Sequence, residues 1–213
     1  MNFQEITALA KRIHLENDLY PVAQCYRMSP TRFQNLVVVP KLGDAMRIEA
    51  EIKDVSGMAA YSVLLRKSDH ARIRISSGIT PCWQRFCYLK ELCHLYLDSS
   101  QNYVLKEKVI VFTARQARKI PETVAQGCED SSLARSSPGS LRKLDSEQAA
   151  LLLALELAIP WEVKGWQLRA ELLEKASPYD SMLPLAELAR TPQVLLELFD
   201  EDYGVFSAGH YIP

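Results

Sequence analysis

The sequence predicts a single α+β domain over residues 1–213, with a small, largely antiparallel sheet followed by a helical C-terminal half. Three observations predict it. Apolar residues recur at helical spacing in the first seventeen or so positions, short extended runs separated by turn residues fill residues 46–75, and helical signals return as an apolar stripe from residue 84 and as a capped segment from residue 145.

Taken in order, Phe3, Ile6, Leu9, Ala10 and Ile13 mark an amphipathic helix ending near Asn17, and Pro21 breaks it. A second short helix is expected up to Met28, ahead of Ser29-Pro30, so residues 1–30 form an N-terminal helical part. Extended runs follow at Leu36-Val37-Val38-Val39 and at residues 46–55, 60–65 and 72–75. Gly57 and Lys67-Ser68-Asp69 supply turns, and Ile73 and Ile75 fall on one face. Residues 84–97 read as a helix with Phe86, Leu89, Cys93 and Leu97 as its apolar stripe and Leu92 and Tyr96 at the margin. Val109-Ile110-Val111-Phe112 suits another strand. Residues 125–143, with Ser131-Ser132 and Ser136-Ser137-Pro138-Gly139-Ser140, are expected to be a mobile surface insertion. Asp145 or Ser146 caps a helix to Ile159 that Pro160 stops, which closes a core over residues 35–160. A C-terminal helical subdomain, 161–213, contains helical segments near 165–176, 183–190 and 192–199. The last two have helix-turn-helix spacing, but residues 192–199 carry no Arg or Lys, which favours a packed pair over a DNA reader.

Composition excludes several function classes. Hydrophobic residues make up 48% and charged residues 24%, enough apolar mass for a sizeable core. With 25 Lys and Arg against 26 Asp and Glu, the net charge of -1 offers no global attraction to nucleic acid or acidic lipid. The longest apolar run, residues 149–160, is interrupted by Glu156 and is too short to cross a bilayer. Met1-Asn2-Phe3-Gln4-Glu5 lacks the basic start and apolar core of a signal peptide. Five cysteines (Cys25, Cys82, Cys87, Cys93, Cys128), with no CxxC pair, imply free thiols rather than a disulfide framework, hence a cytoplasmic protein. Trp83, Trp161, Trp166, Phe86 and Tyr96 read as packing groups, and His14 and His210 as surface or terminal histidines. The aromatic tail at 203–213 suits either packing back on the domain or a partner-binding strand.

Two blocks carry a resemblance. The first is Ala71-Arg-Ile-Arg-Ile-Ser-Ser-Gly-Ile79 followed by Gln84-Arg85-Phe86-Cys87-Tyr88-Leu89-Lys90-Glu91-Leu92-Cys93-His94-Leu95. The second is Glu147-Gln-Ala-Ala150-Leu-Leu-Leu153-Ala154-Leu-Glu-Leu157-Ala-Ile-Pro160. In this order, over about residues 45–160, they resemble the ImmA/IrrE family of zinc peptidases. That family's active-site helix runs Gln-Arg-Phe-x-x-Ala-His-Glu-Leu-Gly-His-x-x-Leu, and its later helix runs Glu-x-x-Ala-x-x-Phe-Ala-x-x-Leu-Leu-Met-Pro. Gln84, Arg85, Phe86, Glu91, Leu92, His94 and Leu97 match the first pattern, and the Ser-rich insertion accounts for the long separation of the blocks. The resemblance implies a zincin-like peptidase domain built around an active-site helix.

In such a site, His at i and i+4 lie one turn apart and bind one zinc ion, Glu at i+1 takes a proton from the metal-bound water, and a later carboxylate is the third ligand. The resemblance therefore assigns Glu91 as general base and His94 and Glu147 as ligands. It fails at the first ligand, where Lys90 stands: a protonated amine has no lone pair and repels a divalent cation. Cys87 cannot replace it, lying seven residues from His94, roughly 10 Å along the helix. Cys93 points about 100° away from its neighbour His94. His14, His70 or His210 could rescue the site only by reaching in from another segment. Cys93 also replaces a family glycine and Leu89 an alanine. These departures predict a degenerate, vestigial site with no cofactor, or zinc if another ligand rescues it. The Lys90 amine is expected either to pair with Glu91 or Glu147 in place of the metal, or to extend to solvent beside a solvated Glu91.

By analogy with the family, whose members are linked to cleaving or regulating repressor proteins in bacteria and mobile elements, the expected role is a pseudo-peptidase that binds a protein partner of the repressor or regulator type. The alternatives are an active zinc endopeptidase with an unusual ligand set, and a toxin-system, phage-defence or nucleic-acid-regulating role.

Overall fold

The computed structural model describes residues 1–17, 19, 29–43, 46–55, 60–67, 69–99, 108–120, 144–158 and 192. The helix expected before residue 28, the 125–143 insertion, most of the 161–213 subdomain and its tail lie outside them. In chain order the elements are α1 (Phe3–Asn17), α2 (Pro30–Phe33), a π-helical turn (Gln34–Val38), α3 (Val39–Leu42), β1 (Arg47–Lys53), β2 (Ala60–Arg66), β3 (His70–Ser76), α4 (Pro81–Ser99), β4 (Lys108–Thr113), α5 (Ala114–Arg118) and α6 (Ser146–Ala158). The mixture of helices with one four-stranded sheet is the expected α+β class. Two compact units emerge, Met1–Met28 with Ile120–Pro213, and Ser29–Lys119.

In the first unit α1 packs against α6. Both begin with reciprocal caps. The Glu5 N–H donates to Asn2 Oδ1 and the Asn2 N–H to Glu5 Oε2, each at 2.9 Å. The Gln148 N–H donates to Asp145 Oδ1 at 2.8 Å and the Asp145 N–H to Gln148 Oε1 at 3.2 Å, which makes Asp145 rather than Ser146 the cap. Ile6, Leu9, Ala10 and Ile13 are buried, and α6 is buried continuously from Ala149 to Ala158, with Glu156 the one charged residue in an otherwise apolar run. His14 is not a surface histidine: it is buried, with Nε2 3.3 Å from the Glu156 carbonyl oxygen. Burial of an apolar α1 face carries the neighbouring imidazole in with it.

In the second unit the chain first runs helical from Pro30 to Leu42. The Ser29 side chain caps it by accepting from the Arg32 N–H, and Pro30 sits at the start, where its missing N–H costs nothing. The strand expected at Leu36-Val37-Val38-Val39 is therefore absent. Phe33 and Val37, four apart, are buried together with Val38, while Asn35 and Leu36 face outward, so helical periodicity overrides the β-branched run. Pro40 explains the π-helical turn. Its ring would crowd the carbonyl four residues back, and the wider turn, closed by the Val39 N–H on Gln34 O, relieves that clash. Gly43 ends the segment at φ 87, a backbone region that side chains avoid.

The sheet order is β1-β3-β2-β4. β2 pairs antiparallel with β3 and β4, whereas β1 pairs parallel with β3. The sheet is thus mixed, with antiparallel ladders on two of its seams. Ala71, Ile73 and Ile75 of β3 are buried, and their register partners Arg66, Leu64 and Ser62 share that face. α4 covers it, contacting β2 and β3, while the Pro30–Leu42 segment packs on α4 in turn. On the opposite face Arg72 and Arg74 reach their β1 register partners Glu49 and Glu51 at 3.1 and 2.7 Å. Among the described residues no helix is long and apolar enough to cross a membrane.

Candidate functional site

α4 begins at Pro81 after a turn that Gln84 holds shut. Its Nε2 donates to the carbonyls of Ser76 (3.3 Å) and Ile79 (3.1 Å), and its own N–H bonds Thr80 O at 2.9 Å. From Phe86 onward the helix is buried on nearly every side, with only Tyr88 and Asp98 partly exposed as far as Leu97 and Asp98. A helix sandwiched this way would normally be apolar throughout. Lys90, Glu91 and His94 break the rule at 0%, 0% and 1% exposure.

Lys90 Nζ lies 3.2 Å from Glu91 Oε1, an ion pair with both side chains fully buried. Phe112 of β4 caps it, with the ammonium 4.5 Å from the ring centroid, close enough for a cation–π contribution. Ser62 Oγ, also fully buried, donates to the same Glu91 oxygen at 2.6 Å. Glu91 Oε2 is buried and has no hydrogen-bond partner among the described residues. The expectation that Lys90 extends to solvent beside a solvated Glu91 is corrected: between a sheet and a helical layer α4 has no solvent side at these positions.

Strand β2 aims Ser62 here through an irregularity. Between Ala60 and Ser62 the β2–β4 register shifts, so that Ala60 faces Thr113 while Ser62 already faces Phe112. Tyr61, the extra residue, packs edge-on against Trp83 (5.3 Å between centroids) and Phe112 (6.0 Å), and Trp83 continues to Phe86. An aromatic wall thus closes the site beside the ion pair. Further along α4, Arg66 of β2 pairs with Asp98.

The thiols on this helix are shielded. Burial first, then the Glu91 charge, raises the Cys87 pKa strongly, while Lys90 and a hydrogen bond with Ser62 oppose the shift. Cys93 is raised for the same leading reasons. Both are neutral thiols rather than thiolate ligands.

The structure brings Lys90 and Glu91 into contact and places His94 one turn further along the same buried helix. Glu147 stands in the first turn of α6, in the other unit. Of the rescuing histidines, His14 belongs to that other unit, and His70 is held by Asp69 at 2.9 Å at the start of β3. His210 lies outside the described residues. Among the described residues no three His, Cys, Asp or Glu side chains group to hold a metal ion. The donor chemistry at position 90 does not fit zinc: the lysine nitrogen is engaged with the carboxylate that would serve as base. Sequence reasoning missed Ser62 and Phe112. The only signal was a small polar serine among the apolar and aromatic residues of Ala60–Leu65, since a buried polar group demands a partner.

Compared with known proteins, the chain matches no family model, and no curated sequence is significantly similar to it.

Proposed function

We propose that this chain is a metallopeptidase-like protein of the ImmA/IrrE type that works without zinc, by binding a protein partner of the repressor or regulator class. The Lys90–Glu91 contact, 3.2 Å with both side chains at 0% exposure, carries this reading. A zinc peptidase needs a lone pair at position 90 and a carboxylate free to take a proton from water. Here the ammonium supplies the positive charge that a cation would have supplied, and Glu91 Oε1 already accepts from Lys90 and Ser62. A carboxylate held this way and shut from solvent is a structural group, not a base. The partner class rests on the resemblance alone. The free thiols Cys82, Cys87 and Cys93 support a reducing compartment such as the cytoplasm.

Metal analysis of the purified chain tests the reading, with and without zinc incubation and beside a Lys90→His variant. The wild type is expected to stay empty and the variant to take up about one zinc per chain. Stoichiometric zinc in the wild type would instead overturn this reading and favour the other, an endopeptidase with an unusual ligand set, for which Glu91→Gln should abolish cleavage of its substrate.

A further inference from the structure

We infer that the outer edge of β1 is a docking site for an extended polypeptide segment with carboxylates six residues apart and aliphatic side chains between them. This deepens the protein-binding reading and rests on it. Among the described residues β1 ends the sheet, with β3 on its inner side. The Arg47 N–H donates to Asp69 O at 3.1 Å and the Lys53 carbonyl accepts from the Ser77 N–H at 3.0 Å, so both these residues turn their main-chain groups inward. Because that direction alternates along a strand, Glu49 and Glu51 also turn inward, and Ile48, Ala50 and Ile52 turn their N–H and C=O groups outward. Such a row is a template for one more strand.

The side chains beside that row suit an apolar guest. Ala50 and Ile52 share a face with Ile73 and Ile75, their register partners. With Pro81, Arg85 and Tyr88 of α4, Ala50, Ile52 and Ile75 line a groove of about 370 Å³. Ile52 is 61% exposed there, although its row continues into the core through Ile75. An incoming strand would lay its aliphatic residues over Ile52.

Charge selects among guests. Glu49 and Glu51 are neutralised by Arg72 and Arg74, whereas Arg47 and Lys53 have no ion pair among the described residues. They stand about 20 Å apart along the strand. A second copy of the chain is a poor guest. The antiparallel self-pair centred on Ala50, which alone uses all three outward residues of both strands, sets Arg47 against Lys53 and Glu49 against Glu51, and like charges directly opposite are unfavourable. A partner with carboxylates at those two ends meets no such penalty.

The probe is a capped peptide, Glu-Val-Thr-Val-Thr-Val-Glu, whose residue order is the same in both strand directions, with Lys-Val-Thr-Val-Thr-Val-Lys as its charge-reversed control. Amide exchange of the isotope-labelled full chain is followed by NMR. The acidic peptide should slow exchange at Ile48, Ala50 and Ile52 at least tenfold and leave Glu49 and Glu51, already bonded to β3, unchanged. The basic peptide should bind at least tenfold more weakly. Ala50→Pro should abolish the effect, since it removes an outward N–H and spares the β3 ladder; Ile52→Glu, which keeps the backbone intact, should weaken it tenfold if the proline variant does not fold. No slowing at millimolar peptide, equal protection by both peptides, or protection on β4 instead would overturn the docking site. That failure would leave the metal-free reading standing, while zinc in the wild type would remove that reading without touching the exchange result.

Discussion

Taking away one half of a buried ion pair strands the other half as a charge in an apolar surround, at a cost of about 3–5 kcal/mol, whereas exchanging both for neutral groups of similar volume costs little. Lys90 and Glu91 are such a pair. Lys90→Met is therefore expected to lose about 3–5 kcal/mol in urea unfolding. The double variant Lys90→Met, Glu91→Gln should recover most of that loss, because glutamine still accepts from Ser62 without carrying a charge. Equal losses in both would mean that the Lys90 and Glu91 charges are not energetically coupled. Ser62→Ala removes a buried donor from a charged acceptor and should cost about 1.5–3 kcal/mol by the same measurement. Lys90, Glu91 and His94 were legible in the sequence because i, i+1, i+4 spacing on an apolar helix is itself a chemical pattern. Ser62 and Phe112 were not, because they meet the helix across the sheet, and the register shift that aims Ser62 leaves no spacing to read.

Elements were legible where one periodicity stood alone. The four strands β1 to β4 were found by extended runs between turn residues, α1 and α4 by apolar spacing, and α6 by its cap and the proline that stops it. The Leu36-Val37-Val38-Val39 run misled because β-branched preference is weak beside the burial of Phe33, Val37 and Val38 on one helical side. The parallel β1–β3 seam was hidden for another reason: strand order is set by which apolar faces meet α4, not by the strands' own composition. Gly43 shows what such a helical segment needs to end. Nothing lies within 4 Å of a Cβ placed there, so Gly43→Ala meets open space and only the backbone objects. At φ 87 that objection is worth about 1–3 kcal/mol, read as a lower urea midpoint with an unchanged slope. α4 makes its own prediction. Cys87 and Cys93, buried and shifted upward, should resist iodoacetamide at pH 8 while half-buried Cys82 reacts, and all three should react once urea unfolds the chain.

Over the whole molecule these local shifts set how stability changes with pH. The acid side is governed weakly. Glu51 is lowered chiefly by its hydrogen bond with Arg74, and Asp69 chiefly by His70. Depressed carboxylates stabilise the fold above their unfolded pKa of about 4 and lose that contribution as pH falls through the folded value, but both groups are exposed and screened. The alkaline side is governed by buried groups. Cys87, Cys93 and Tyr88 all have pKa values raised, with burial as the largest cause. Each holds its proton more tightly folded than unfolded, so its contribution is intact below the unfolded pKa, about 8.5 for a thiol and 10 for tyrosine, and is lost as pH rises toward the folded value. Stability should therefore be level, as far as these groups are concerned, between about pH 5 and 8 and then fall by about 1.4 kcal/mol per pH unit for each thiol. Urea unfolding at pH 7, 9 and 10 checks this. Cys93→Ala destabilises at every pH through the volume it removes, yet it also removes one titrating proton, so its alkaline slope should be shallower than that of the wild type. A variant slope equal to the wild type's would place the Cys93 thiol in water and the burial of α4 at that position in error.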